Sequence, residues 1–136
     1  MFKLKKIIGA KNSVPEVRLW DQDSTLYYKA GCVYLLDQDC IAMGDIAAFP
    51  NMIKIMSTAT IDTENYPYPV PGFIITRDMV FEADVAPGTN PSVGSTVKVV
   101  ADEDCMLGRV EPDENGVAVV IGKRDTDKNT VDVMFI

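Results

Sequence analysis

Residues 113–136 read DENGVAVVIGKRDTDKNTVDVMFI, and this stretch decides the fold class. Val131, Val133 and Phe135 alternate with Asp132, Met134 and Ile136, the period-two pattern of a strand with one buried face. The preceding VAVVIG is short, rich in β-branched residues and bounded by turn residues, so it reads as a second strand, with KRDTDKNT as the loop between them. Asn115-Gly116 offers the positive φ angles of a tight hairpin turn.

The same signals recur upstream. In MVFEADV (79–85), Met79, Phe81, Ala83 and Val85 alternate with Val80, Glu82 and Asp84. IKIMSTATI (53–61) alternates with β-branched enrichment, and VRLW (17–20), LYY (26–28), CVYLL (32–36), CIAM (40–43), FIIT (73–76) and TVKVV (96–100) are short apolar runs. APGTNPSVGS (86–95) is a long turn built on Pro and Gly. Only Ile46–Phe49, before Pro50, suits a single helical turn, and no longer window shows capped i, i+3, i+4 spacing. About nine short strands separated by turn residues predict an all-β fold, a small barrel or sandwich of short antiparallel strands. The expected organisation is an extended N-terminal arm over 1–16 and a single β-rich domain over 17–136.

Residues 64–73, ENYPYPVPGF, interrupt this pattern. Pro67, Pro69 and Pro71 alternate, and the positions three beyond Pro67 and Pro69 are Val70 and Gly72. The PxxP spacing read by proline-binding grooves is therefore missing. Three fixed φ angles and three absent N–H donors predict a stiff crossover that is no central strand. It would lead into a hairpin formed by FIITRDMVFEADV, leaving Tyr66 and Tyr68 to pack on this body or a neighbour.

Composition excludes several functions. The 136 residues carry 13 Lys and Arg against 20 Asp and Glu, a formal charge of −7. Nucleic-acid binding needs a cationic face, so no nucleic-acid partner is expected. The N-terminal region is basic, with Lys3, Lys5, Lys6 and Lys11, and Ile7 and Ile8 between them. No apolar run approaches the ~18 to 20 residues that span a bilayer, so no membrane partner is expected. No signal peptide is read in FKLKKIIGAKN, and Cys32, Cys40 and Cys105 lack a CxxC spacing, which favours buried free thiols.

The chain has no histidine. That removes the usual general base, the Ser-His and Cys-His pairs and the commonest zinc ligand. Asp21-Gln-Asp23 and Asp37-Gln-Asp39 offer alternating carboxylates, but Asp capping its own turn is the simpler reading. Asp102-Glu-Asp104 reads as a turn in the same way. Asp125-Thr-Asp127-Lys-Asn129 opens like a calcium loop, yet Thr130 stands where that loop needs Gly and Ile136 where it needs Glu. No phosphate-binding glycine loop occurs, and Trp20, Tyr27, Tyr28 and Tyr34 lack the basic surround of a base-stacking platform. The expectation is a non-enzymatic chain with no catalytic, cofactor-binding or metal-ligating residues and no cofactor.

The order of the short motifs resembles a known family. Val14-Pro15-Glu16, Tyr28-Lys29-Ala30-Gly31, Cys40-Ile-Ala-Met-Gly44 and Pro50-Asn-Met-Ile53 are followed by Thr76-Arg-Asp78-Met79-Val-Phe81-Glu82. Val93-Gly94-Ser-Thr-Val97 and Val131-Asp-Val133-Met-Phe135 complete the set. This layout is similar to that of small head decoration (capsid cement) proteins of tailed bacteriophages, apart from the loop near Thr60–Tyr66. The resemblance implies a virion structural protein, synthesised in the bacterial host cytoplasm and bound to the capsid surface. It implies two partners, the major capsid protein and further copies of itself in a homotrimer. Lys3, Lys5, Lys6, Ile7, Ile8, Tyr66 and Tyr68 are the expected interface residues. A phage tail or neck protein, or a small β-barrel ligand- or metal-binding protein, are the rival readings.

Overall fold

The computed structural model describes residues 1–8, 16–21, 27–37, 40–42, 46, 51–62 and 69–136. The chain is all-β, and no helix occurs among the described residues. In chain order the first strands are β1 (Phe2–Ile7), β2 (Val17–Asp21), β3 (Tyr27–Tyr28), β4 (Val33–Asp37), β5 (Cys40–Ala42), β6 (Lys54–Ser57) and β7 (Ile61–Asp62). They are followed by β8 (Val70–Ile74), β9 (Met79–Val85), β10 (Thr96–Ala101), β11 (Leu107–Pro112), β12 (Ala118–Asp125) and β13 (Thr130–Phe135). These strands gather into two compact units, Ser13–Ile75 and Met1–Asn12 with Thr76–Ile136. The expected boundaries, 1–16 and 17–136, do not coincide with this division.

In the Ser13–Ile75 unit, β2, β5, β4, β6 and β8 close a five-stranded barrel. The first strand of this set pairs parallel with the third, and the other pairings are antiparallel: third with second, second with fourth, fourth with fifth, fifth with first. Tyr28, Val33, Tyr34, Ile55 and Val70 fill its core at 0–1% exposure, with the Tyr28 and Tyr34 rings 4.5 Å apart. The Tyr34 hydroxyl is kept satisfied by the Lys29 N–H, 2.9 Å away, as a buried polar tip requires. The small β3–β7 ladder lies beside these strands in the chain.

The other unit repeats that pattern. Its strands β9–β13 pair first with third in parallel, then third with second, second with fourth, fourth with fifth and fifth with first, all antiparallel. Because β9 bonds both β11 and β13, the ladder returns on itself. Phe81, Val97, Val110, Val133 and Ala118, all at 0% exposure, line its interior. Strand β1 is the one addition, antiparallel to β9.

The likeness extends to single hydrogen bonds. Gly31 N–H donates to Ser57 O (2.8 Å) and Ser57 N–H to Cys32 O (3.1 Å); Gly94 N–H donates to Val120 O (2.8 Å) and Val120 N–H to Ser95 O (2.9 Å). Val33 opposes Met56 and Tyr34 opposes Ile55, as Thr96 opposes Val119 and Val97 opposes Ala118. Each residue of the first set is therefore matched by the one 63 positions later, from Gly31 and Gly94 to Ser57 and Val120. The closing bonds agree as well, Ile75 N–H to Lys54 O and Ile136 N–H to Val117 O, both 2.9 Å. Gly31 (φ 77°) and Gly94 (φ 89°) both enter the second strand of their barrel in the left-handed region, where only glycine is unstrained. The two units are copies of one barrel module.

Three local expectations are corrected. Asn115 and Gly116 have no positive φ, and β11 and β12 do not pair with each other. Gly116 N–H donates to Asp113 O (3.0 Å) and the Asp113 carboxylate accepts from Asn115 N–H (2.8 Å), an ordinary turn that carries the chain past β10. Glycine is needed at 116 for space instead, since a Cβ would sit 2.3 Å from the Val97 carbonyl oxygen. Second, Val70–Ile74 is a central strand despite Pro71, bonded to β2 and β6. Thr58 N–H donates to the Pro71 carbonyl (3.1 Å) and β6 ends at Ser57, so the donor that proline lacks falls at the end of the ladder. The hairpin expected from FIITRDMVFEADV does not form, because β8 and β9 belong to different units.

Candidate interaction surface

Two of the acidic turns resolve into backbone caps. The Asp102 carboxylate accepts from Asp104 N–H (2.9 Å) and Met106 N–H (3.0 Å), holding the β10–β11 tip with Cys105 at φ 61°. Asp125 accepts from Asp127 N–H (3.0 Å) and Lys128 N–H (3.1 Å), and Asn129, at φ 57°, donates its amide to Val85 O (3.1 Å). The Asp102 and Asp125 carboxylates are thus committed to turns, as those residue types predicted, while residues 22–23 and 38–39 of the two Asp-Gln-Asp turns lie outside the described residues. Among the described residues no three Cys, Asp or Glu side chains gather as a metal site. A shallow polar cleft of about 200 Å³ is lined by Asp84, Glu103, Arg109, Lys128 and Asn129. Its Arg109 guanidinium is engaged by Glu103.

The residues expected at an interface divide. Tyr66 and Tyr68 lie outside the described residues. Lys3, Lys5, Lys6 and Ile7 come together on β1, and Ile8 follows directly at 54% exposure. The segment is a strand because Phe2 points inward, packing against Phe81 (ring centroids 6.2 Å) and Phe135 (5.8 Å). A bulge between Leu4 and Lys6 inserts Lys5 as an extra residue, which re-aims its side chain. The Lys5 ammonium meets Asp132 at 2.8 Å, and that hydrogen bond and charge raise its pKa above the ordinary 10.5. Lys3 and Lys6 are exposed. Lysines along an edge strand discourage indiscriminate pairing.

β1 occupies one particular seat. Ile8 N–H donates to Asp78 O (2.7 Å) and Asp84 N–H to Met1 O (3.4 Å), so the even-numbered backbone groups of β9 face β1. Along β9, β1 covers Met79–Ala83 and β11 covers Asp84 and Val85, so the two share one edge.

The other module carries the same seat. Registers through Gly72 and Val133 match Val17, Arg18 and Leu19 of β2 to Phe81, Glu82 and Ala83 of β9. Along β2, β5 covers Trp20 and Asp21, as β11 covers Asp84 and Val85 along β9. No strand pairs with this edge of β2 at Val17–Leu19 among the described residues. The apolar floor differs accordingly. Phe81 and Phe135, under Phe2, are 0% and 5% exposed, whereas their counterparts are Val17, half-buried, and Ile74, 38% exposed. Sequence reading missed this edge, because unpaired backbone groups define it and no side chain marks it.

No family model, curated protein or solved structure matches this chain.

Proposed function

We propose that this chain is a virion structural protein of a tailed bacteriophage, decorating the capsid by binding the outer face of the major capsid protein lattice, with no enzymatic role. The observation that carries the reading is the ordered motif set from Val14-Pro15-Glu16 to Val131-Asp-Val133-Met-Phe135. The architecture supports it physically. Each unit closes a small barrel around its own core, and strand edges let extended segments add to a sheet through backbone hydrogen bonds. Weak contacts of that kind become strong when a lattice repeats them. The basic edge strand β1, on a chain of net charge −7, suits an acidic neighbouring surface.

Quantitative mass spectrometry of purified virions tests the reading. The expected result is a copy number that tracks the major capsid protein, with binding of the isolated chain to capsids stripped of it. A few copies per particle would assign the chain to the tail or neck, and its absence from virions would overturn the reading.

A further inference from the structure

We infer that the free edge of β2 is a strand-acceptor site whose occupant is an extended segment of another protein, with apolar residues at alternate positions and a carboxylate between them facing Arg18. The inference goes beyond the virion reading and stands without it.

The module itself supplies the precedent. In its second copy the equivalent edge, Phe81–Ala83, is filled by Leu4, Lys3 and Phe2 of β1. On β2 the direction of the backbone groups is the same. Thr58 N–H to Pro71 O and Ile75 N–H to Lys54 O turn residues 71 and 75 toward β6, so 70 and 72 face β2. Leu19 and Val17, opposite 70 and 72, are then the hydrogen-bonded pairs, and the Arg18 N–H and C=O point to the open edge, where unpaired groups recruit a strand. The exposed Ile74 beside Val17 is the floor that an apolar side chain would cover, as Phe2 covers Phe135.

Charge disfavours a second copy's β1 as the occupant. In the filled seat Lys3 opposes Glu82; in the open one the matching residue is Arg18. A lysine opposite Arg18 is a like-charge cross-strand pair, which is unfavourable, whereas an aspartate or glutamate is favourable. Among the described residues the Arg18 side chain is paired with Glu16, at 3.5 Å with both side chains well exposed, a contact that yields readily. Stoichiometry agrees: the described residues of each chain hold two such seats and one β1, which is already seated.

The test uses the full chain, ¹⁵N-labelled, titrated to millimolar concentrations with two synthetic peptides of sequence Met1–Ile8, one unmodified and one carrying Lys3→Glu. The modified peptide is expected to shift the Arg18 amide and the Ile74 resonances, to slow Arg18 hydrogen exchange, and to bind about fivefold more tightly than the unmodified one. Arg18→Glu is expected to reverse that preference. Absence of shifts at Arg18 and Ile74 with either peptide overturns the site, and equal binding by both, or a preference unchanged by Arg18→Glu, overturns the assigned occupant. The readout needs no virion, so its failure leaves the capsid reading standing, and the reverse holds.

Discussion

Replacing Phe2 with alanine isolates what seats β1. The ring is 3% exposed and packs edge-on to Phe81 at 6.2 Å and tilted on Phe135 at 5.8 Å. Truncating a buried phenylalanine costs about 3–5 kcal/mol. Phe2 lies on an edge strand that can fray instead of holding a cavity open, so the lower end, about 3 kcal/mol, is expected. That is a loss of roughly a hundredfold in the folded-to-unfolded ratio, from about 1.4 kcal/mol per factor of ten. Urea unfolding measures the total, and hydrogen exchange locates it. The amides of Val80 and Glu82, which face β1, are expected to lose protection, while those of Ile55 and Met56 in the other module keep theirs. Lys3→Ala, on an exposed position of the same strand, is the control and is expected to stay within about 0.5 kcal/mol. A loss below about 1 kcal/mol for Phe2→Ala with Val80 and Glu82 protection unchanged would refute the claim that the aromatic cluster holds β1 in place.

Other perturbations probe the remaining links. Gly116→Ala puts a Cβ 2.3 Å from a backbone carbonyl, with no flexible neighbour to yield, and is expected to cost about 3 kcal/mol. Gly88→Ala, at φ +78° with open space around it, is expected to cost only about 1 kcal/mol in the same denaturation assay. Thiol labelling of the native protein is expected to modify the exposed Cys105 quickly and the buried Cys32 only on unfolding. The Lys5–Asp132 pair raises the lysine pKa in the folded chain, so its contribution is complete below the unfolded pKa of 10.5 and is lost as pH climbs through the folded value. Alkaline denaturation should therefore narrow the gap between the native chain and Lys5→Met, and a gap that widens with pH would contradict the pairing.

Much of the local structure is written in neighbouring residues. Alternation in Val131-Asp-Val133-Met-Phe135 marks β13, Asp125 and Asp102 build their turns from their own carboxylates, and the missing histidine removes a class of chemistry. These features need only the few residues around them. Asn115-Gly116 and Val-Pro-Gly-Phe at 70–73 misled for the complementary reason. Turn and strand propensities describe a segment alone, whereas Val97 pressing on Gly116 and β6 ending at Ser57 beside Pro71 are facts about distant partners.

What only the tertiary structure decided is the duplication. A barrel position asks for an apolar side chain of fitting size, so Tyr34 and Val97, or Ile55 and Ala118, serve alike and leave little identity to read. The spacing that the fold uses is the 63 residues that join Gly31 to Gly94 and Ser57 to Val120. Strand pairing is set by backbone hydrogen bonds, which carry no side-chain signature. The register of the two modules, the seat filled by β1 and its open counterpart on β2 therefore became visible only once the strands were paired.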